Sequence, residues 1–252
     1  MPAPDVSLFF PVYNDEATAR AVAERALQVF RGYADRFEIV IVDDGSPDRS
    51  GQICDELAHE YPDVIRVIHH QQNLGYGAAI RSGLAACNYD WICVIDGDNE
   101  YDVADLRKML SLREFYSLII AFRYKKLYSA KRIFVSFVYN AVLRMLFRTP
   151  FRDVSTGLRV LHRSILDDIH LTCNSPFIGA ELAIKTMLRG YPVGQLGIQT
   201  FPRTFGRGSS TTAKNIWLTM RDMVRVRHEI FSPNYDLPDG RIREQGSRNA
   251  RT

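Results

Sequence analysis

The sequence predicts an α/β protein: a mostly parallel sheet flanked by helices on both faces. Three observations carry this. Short apolar strand-like runs alternate with helical segments through the first hundred residues, the pattern of βαβ units. Runs such as Ile39-Val40-Ile41-Val42 and Trp91-Ile92-Cys93-Val94-Ile95 are continuously apolar, as strands buried on both faces require. Acids and glycines gather directly after these runs, where open α/β sheets place their ligands.

The elements follow in order. Val6 to Tyr13 reads as the first strand, halted by Pro11, and an Ala-rich helix runs from about Glu16 to Arg31. Phe37–Val42 is the second strand. Ser46-Pro47 then offers an N-cap and a first helical position for a helix reaching Tyr61. The strand Val64–His69, a helix over Gly77–Cys87 and the strand at Trp91 complete the regular alternation. Beyond Asp98 it loosens: helix Val103–Leu112, strand Leu118–Phe122, a long mixed helix Tyr128–Arg148, helix Gly179–Arg189, strand Gln195–Phe201 and helix Ala213–Phe231. The Pro-, Gly- and Arg-containing segment from Ser232 onward is expected to be a disordered tail over 232–252.

A chain of 252 residues with 46% hydrophobic content can bury one sizeable core, so a single domain over 1–231 is expected. Four cysteines form no C-x-x-C pair and read as buried apolar side chains in a reducing compartment. No basic-then-apolar leader is visible, and no apolar run approaches the roughly 18–20 residues of a membrane span. A cytoplasmic protein is the expectation. The net charge of +3 conceals a division: residues 1–120 hold 10 Lys/Arg against 20 Asp/Glu, and residues 121–252 hold 22 against 9. The basic second half suits an anionic partner. Nucleic acid is the weakest candidate, because no recognised module or aromatic-basic repeat accompanies the charge.

The stretch Asp96-Gly97-Asp98-Asn99-Glu100 carries the clearest chemistry. Two hard carboxylates after a buried strand, without His or Cys beside them, suit Mg²⁺ or Mn²⁺ held against a phosphorylated ligand. Asp43 and Asp44 end the second strand, where a carboxylate can accept from ribose hydroxyls or a base N–H. Asn73-Leu74-Gly75-Tyr76-Gly77 precedes a helix, and its glycines allow a close backbone approach or a tight turn. The first strand is followed by no G-x-G-x-x-G, which disfavours nicotinamide and flavin chemistry, and no P-loop occurs.

Pro11-Val12-Tyr13-Asn14, Val42-Asp43-Asp44-Gly45-Ser46, Asn73-x-Gly75-x-Gly77-Ala78 and Asp96-x-Asp98 together resemble glycosyltransferase family 2, in order and in rough spacing. Asp153-x-x-Thr156-Gly157-Leu158-Arg159 and Arg203-x-x-Gly206 are similar to segments of its dolichyl-phosphate mannose synthase-like, polyprenyl-phosphate branch. The resemblance spans roughly residues 6–210 and implies the GT-A fold, with a nucleotide-binding half (1–100) and an acceptor half (101–231). It implies inverting, metal-dependent transfer from a GDP- or UDP-sugar to a lipid phosphate. Pro11, Tyr13, Asp15, Asp43, Asp44, Asn73, Gly77 and Asp96 would bind nucleotide. Asp96, Asp98 and Glu100 would hold Mg²⁺ or Mn²⁺, and Arg123, Arg159 and Arg203 would meet phosphate. Asp153 is the first candidate for a catalytic base and Glu181 the second.

Bacterial members of that branch often carry two C-terminal membrane helices that this chain does not show, so a separate membrane-protein partner is one expectation. The Tyr128–Arg148 helix, aromatic with basic flanks, has the ingredients of an interfacial helix on the cytoplasmic leaflet. The alternative is a core helix edged by snorkelling arginines. The branch that the chain resembles has amphipathic interface helices at this place, between the metal site and the Asp153 segment, which favours the membrane reading. Two rival readings are a family 2 transferase acting on a glycan hydroxyl and a non-catalytic nucleotide-sugar-binding protein.

Overall fold

A computed structural model describes residues 3–124, 130–201, 212–232 and 235, without the side chains of 130–132. The tail beyond Ser232, Tyr235 excepted, and Arg203 lie outside the described residues. Helices α1 (Ala19–Phe30), α2 (Ser50–Glu60) and α3 (Tyr76–Ala86) alternate with strands β1 (Val6–Val12), β2 (Phe37–Asp43), β3 (Ile65–His69) and β4 (Trp91–Val94). Then come α4 (Asp105–Leu110), β5 (Leu118–Arg123), α5 (Ala130–Phe147), β6 (Arg159–His162), α6 (Ile165–Asp168), α7 (Ile178–Leu188), β7 (Val193–Ile198) and α8 (Ala213–Ile230).

The seven strands form one sheet in the order β3-β2-β1-β4-β6-β5-β7. All pairings are parallel except those of β6, which runs antiparallel to both β4 and β5. The sequence reading places no strand between 148 and 179, so β6 is an addition. Four residues bounded by Arg159 and His162 show little of the apolar run that reveals a buried strand. The N-terminus of α2 is a second correction. Ser46 does not cap it: the helix begins at Ser50, and the Ser46 N–H donates to Asp43 Oδ1 at 3.0 Å instead.

Strands buried on both faces divide the core in two. Val6, Leu8, Phe10 and Val12 of β1 pack with α1, α2 and α4, while Phe9 points to the opposite side, where α3, α5, α7 and α8 lie. Period-two side-chain alternation produces this division. The four cysteines are free and buried, as expected.

Chain order places the site. From β1 the strands progress outward through β2 to β3, and the chain then returns to set β4 on β1's other side. The C-terminal ends of β1 and β4 therefore bound a topological switch point, the crevice where ligands bind in open α/β sheets. Ile95 N–H donates to Phe9 O at 3.3 Å, and Thr18 Oγ donates to Gly97 O at 2.7 Å, fastening the loop after β4 to β1 and to the segment that follows it.

Candidate active site

A cleft of about 750 Å³ opens at this switch point. Pro11, Tyr13 and Asp15 enter it from the end of β1, Asp44 from the end of β2, and Asn73 from the loop before α3. Asp96, Asp98 and Glu100 line its middle, with Arg123, Ser155, Thr156, Gly157 and Arg159 also on its wall. The β strand ends at Val94, and Asn14 and Asn99, both at φ 58°, turn the backbone beside the two loops. Asparagine tolerates this left-handed conformation better than most residues.

The acids of the middle wall are crowded. Tyr76 donates its hydroxyl to Asp96 Oδ1 at 2.8 Å, and Asp98 Oδ1 accepts from the Glu100 N–H at 3.1 Å. Burial, and next the Asp98 charge, push the Asp96 carboxyl up to about 7, against the opposing pull of Tyr76 and Arg159. Burial and the Asp96 charge raise the Tyr76 phenol, so it stays a proton donor. Carboxylates held this close leave negative charge that a hard divalent cation would neutralise, so the donor chemistry fits Mg²⁺ or Mn²⁺. Among the described residues no group of three or more His, Cys, Asp or Glu side chains forms an ion cage by itself.

Gly157 explains why the motif after Asp153 contains glycine. A Cβ there would collide with the Asp96 carboxylate, and the Gly157 N–H donates to the Tyr101 hydroxyl at 3.2 Å. Tyr76 and Tyr101 are cleft residues the sequence reading passed over. Tyr76 stood inside the Asn73–Gly77 stretch, but its phenolic reach to Asp96 depends on the fold. The start of α8 was also missed: Thr212, Lys214, Asn215 and Leu218 line the cleft, and Thr212 caps that helix by accepting from Asn215 N–H at 3.3 Å.

Four expected site residues are used otherwise. Asp153, buried and off the cleft lining, accepts on Oδ2 from Arg123 Nε at 3.0 Å and Nη2 at 2.8 Å. Its Oδ1 accepts from the Ser155 hydroxyl at 2.6 Å and, at 3.4 Å, from Asn140 on α5. A carboxylate gripped this way is placed to position Arg123. Glu181 is fully buried away from the cleft. It accepts from the N–H groups of Thr172 and Cys173 and from Lys185 Nζ at 2.9 Å, which makes it a structural anchor. Asp43 also lies off the cleft, closing the turn at Ser46 and pairing with His69 Nδ1 at 2.9 Å. Gly77 serves packing. A Cβ on it would strike the backbone of Cys173 and Asn174, and its N–H donates to Asn174 O at 3.0 Å.

The Glu181 anchor sets one prediction. Burial opposes its ionisation, but the Lys185 charge and the backbone N–H of Cys173 outweigh that and hold its carboxyl below its ordinary 4.5. Its stabilising contribution is therefore complete above that value and is lost as pH falls through the lowered folded one. Glu181→Gln takes from Lys185, which is 1% exposed, one of its two carboxylate partners, leaving Glu229 Oε1 at 2.7 Å and His170 O at 2.6 Å, and should cost about 1–3 kcal/mol. Denaturant titration is the check, with activity per folded molecule expected to stay near the wild-type level.

Arg159 begins β6, donates Nη2 to Val154 O at 2.8 Å, and keeps a buried Nε without a hydrogen-bond partner. Arg123 is 6% exposed at its side chain and reaches the same wall. The cleft thus sets a carboxylate group beside two buried guanidinium groups.

Comparison with known proteins agrees with this geometry. Residues 7–170 match the Glycosyl transferase family 2 profile. An undecaprenyl-phosphate 4-deoxy-4-formamido-L-arabinose transferase of Pseudomonas savastanoi pv. phaseolicola is 28% identical over 64% of this chain, which spans 48% of that relative's length. Polyprenol monophosphomannose synthase of Mycolicibacterium smegmatis is 26% identical over 79% of this chain and 78% of its own. Among solved structures, glucosyl-3-phosphoglycerate synthase of Mycobacterium tuberculosis in complex with Mn²⁺, UDP and phosphoglyceric acid superposes with a TM-score of 0.69 at 19% identity, over 94% of this chain and 80% of that one. The same synthase has been solved with Mg²⁺ and UDP, with a TM-score of 0.65 at 19% identity over 89% of this chain and 78% of that one. These neighbours share the GT-A fold. With the profile covering well over half its length, this chain belongs to glycosyl transferase family 2.

Proposed function

We propose that the protein is an inverting glycosyltransferase that moves a sugar from a nucleotide-diphosphate sugar to a polyprenyl phosphate at the cytoplasmic face of a membrane. The observation that carries this reading is the single cleft in which Asp96 and Asp98 face the same space as Arg123 and Arg159. Tyr13, Asp15 and Asp44 would receive the nucleoside. Asp98, with Asp96, would hold Mg²⁺ or Mn²⁺, whose shell the donor's diphosphate oxygens would complete. Such an ion supplies charge stabilisation for the departing nucleoside diphosphate. Glu100 adds negative charge at the cleft wall. The names of the two relatives carry the acceptor class to this chain, and the metal-bound synthase structures support the ion.

Transfer forms a bond from an acceptor phosphate oxygen to the anomeric carbon, and the carbon–oxygen bond to the diphosphate breaks with its electron pair leaving on the nucleotide. Arg123 and Arg159 would orient the acceptor phosphate through their planar forks, and Arg203, outside the described residues, would add a third. A phosphate monoester has a second pKa of about 6 and needs little help losing its proton at neutral pH. The engagement of both Asp153 and Glu181 in other bonds is consistent with an acceptor of this kind and counts against the glycan-hydroxyl alternative, which needs a free carboxylate base. Incubation with labelled nucleotide sugars and polyprenyl phosphate should give an organic-extractable product labile to mild acid. Label appearing only in free sugar or on a water-soluble glycan would reject the acceptor class.

Two helices would bring the cleft to the lipid. On α5, Phe134 and Phe137 are 66% and 63% exposed. On α8, Trp217, Met220 and Val224 stand at helical spacing and are exposed, beside Arg221 and Arg225. Apolar faces edged by basic groups suit the headgroup boundary of an anionic bilayer. No helix among the described residues is long and apolar enough to cross a membrane. Adding anionic vesicles should shift Trp217 emission to the blue, and joint replacement of Phe137 and Trp217 by Ser should weaken vesicle binding at least about tenfold. Unchanged cosedimentation of that variant would reject this face.

A further inference from the structure

His70 stands immediately after β3 with its side chain almost wholly buried, and nothing in the reaction outlined above uses it. Its Nδ1 lies 2.7 Å from Asp44 Oδ1 and its Nε2 lies 2.9 Å from the Ser82 hydroxyl of α3. An ionised carboxylate only accepts, so Nδ1 carries the proton. In the neutral ring Nε2 then accepts from Ser82, and that bond fixes the tautomer. The same Asp44 carboxylate accepts the Leu74 N–H on Oδ1 and the Gly75 N–H on Oδ2, each at 2.9 Å. Among the described residues three donors thus fill three of its roughly four acceptor positions and leave one on Oδ2. Asp44 lines the cleft.

We propose that His70, set by Ser82, is a positioning residue for nucleotide recognition: it locks the Asp44 carboxylate so that its one unfilled acceptor position receives an N–H or O–H of the donor's nucleoside. This rests on the functional reading above and names a determinant within it. Two features separate it from simple packing. The contact is a polar chain running from helix to cleft, Ser82 to His70 to Asp44, and its far end is the carboxylate that faces the ligand. Second, the loop 73–75, which also lines the cleft, hangs from that carboxylate through two backbone N–H groups. Losing the His70 proton would therefore loosen both the acceptor and the loop beside it.

The test is calorimetric titration of UDP and of GDP, each with Mn²⁺, into the wild type, His70→Leu, His70→Asn and Ser82→Ala, with a melting curve for each. Asparagine can place an N–H near the position of Nδ1, whereas leucine offers bulk without a donor. We expect Leu to raise the Kd of the preferred nucleotide about tenfold or more, and Asn to restore it to within about threefold. Ser82→Ala should weaken binding less than Leu, and the KM for polyprenyl phosphate should not move in any variant. Should the Leu variant not fold, the order wild type, Asn and Ser82→Ala decides, with equal Kd for wild type and Ser82→Ala counting against the idea. A folded Leu variant with wild-type affinity, or an Asn variant as weak as Leu, overturns the role of His70 and leaves the transferase reading standing. A wild type that binds neither nucleotide overturns both.

Discussion

Asp98→Ala should lower sugar transfer by about 10³-fold or more, because the chain would lose a carboxylate proposed to hold a cation against the leaving diphosphate. The fold should survive. Asp98 gives up the hydrogen bond from the Glu100 N–H, and its removal also takes away the like charge that helps drive the neighbouring Asp96 carboxyl up to about 7. The two effects oppose one another, so the melting temperature is expected to remain close to that of the wild type. Steady-state assays with the variant and circular dichroism melts check the two halves. Full activity of Asp98→Ala in excess chelator would remove the metal-assisted mechanism.

Asp153→Asn should lower kcat/KM for polyprenyl phosphate about 10- to 100-fold for a different reason. Asp153 and Arg123 are 4% and 6% exposed at their side chains, and two hydrogen bonds join them. Removing one charge from so buried a pair weakens the hold on the other. Asparagine can still meet Ser155 and Asn140, but it cannot fix the guanidinium fork as a carboxylate does. The loss should appear chiefly as a raised KM for polyprenyl phosphate, with the pH dependence of turnover keeping its shape. A general base would behave otherwise: its removal would erase the acid limb of the profile and leave acceptor KM nearly unchanged. The split between these parameters therefore separates positioning from proton abstraction.

The parallel half of the fold was legible because its signals are local. A run such as Ile39–Val42 shows its two-sided burial residue by residue, and the acids after β2 and β4 mark the sheet's carboxyl edge. The antiparallel insertion was not legible, because β6 owes its place to pairing with β4 and β5 and not to its own four residues. The same divide runs through the site. Asp96 and Asp98 could be read from one strand end. The work of Asp153 depends on Arg123, thirty residues earlier, and the contribution of α8 depends on a helix start that only tertiary packing brings to the cleft. Glu181 had a visible sign: Lys185 lies four residues on, the spacing at which a helix pairs opposite charges. Burial of both partners turned that pair into an anchor.

On the proposed mechanism a divalent ion, held by the carboxylates after β4, would sit between the protein and the diphosphate of a sugar nucleotide. A crystal soaked with Mn²⁺ and a nucleotide sugar tests it most directly, with anomalous scattering to mark the metal. One strong anomalous peak is expected beside Asp98 and the diphosphate, with the nucleoside against Tyr13 and Asp44. A nucleotide bound elsewhere, or bound in this cleft with no metal beside Asp98, would contradict it.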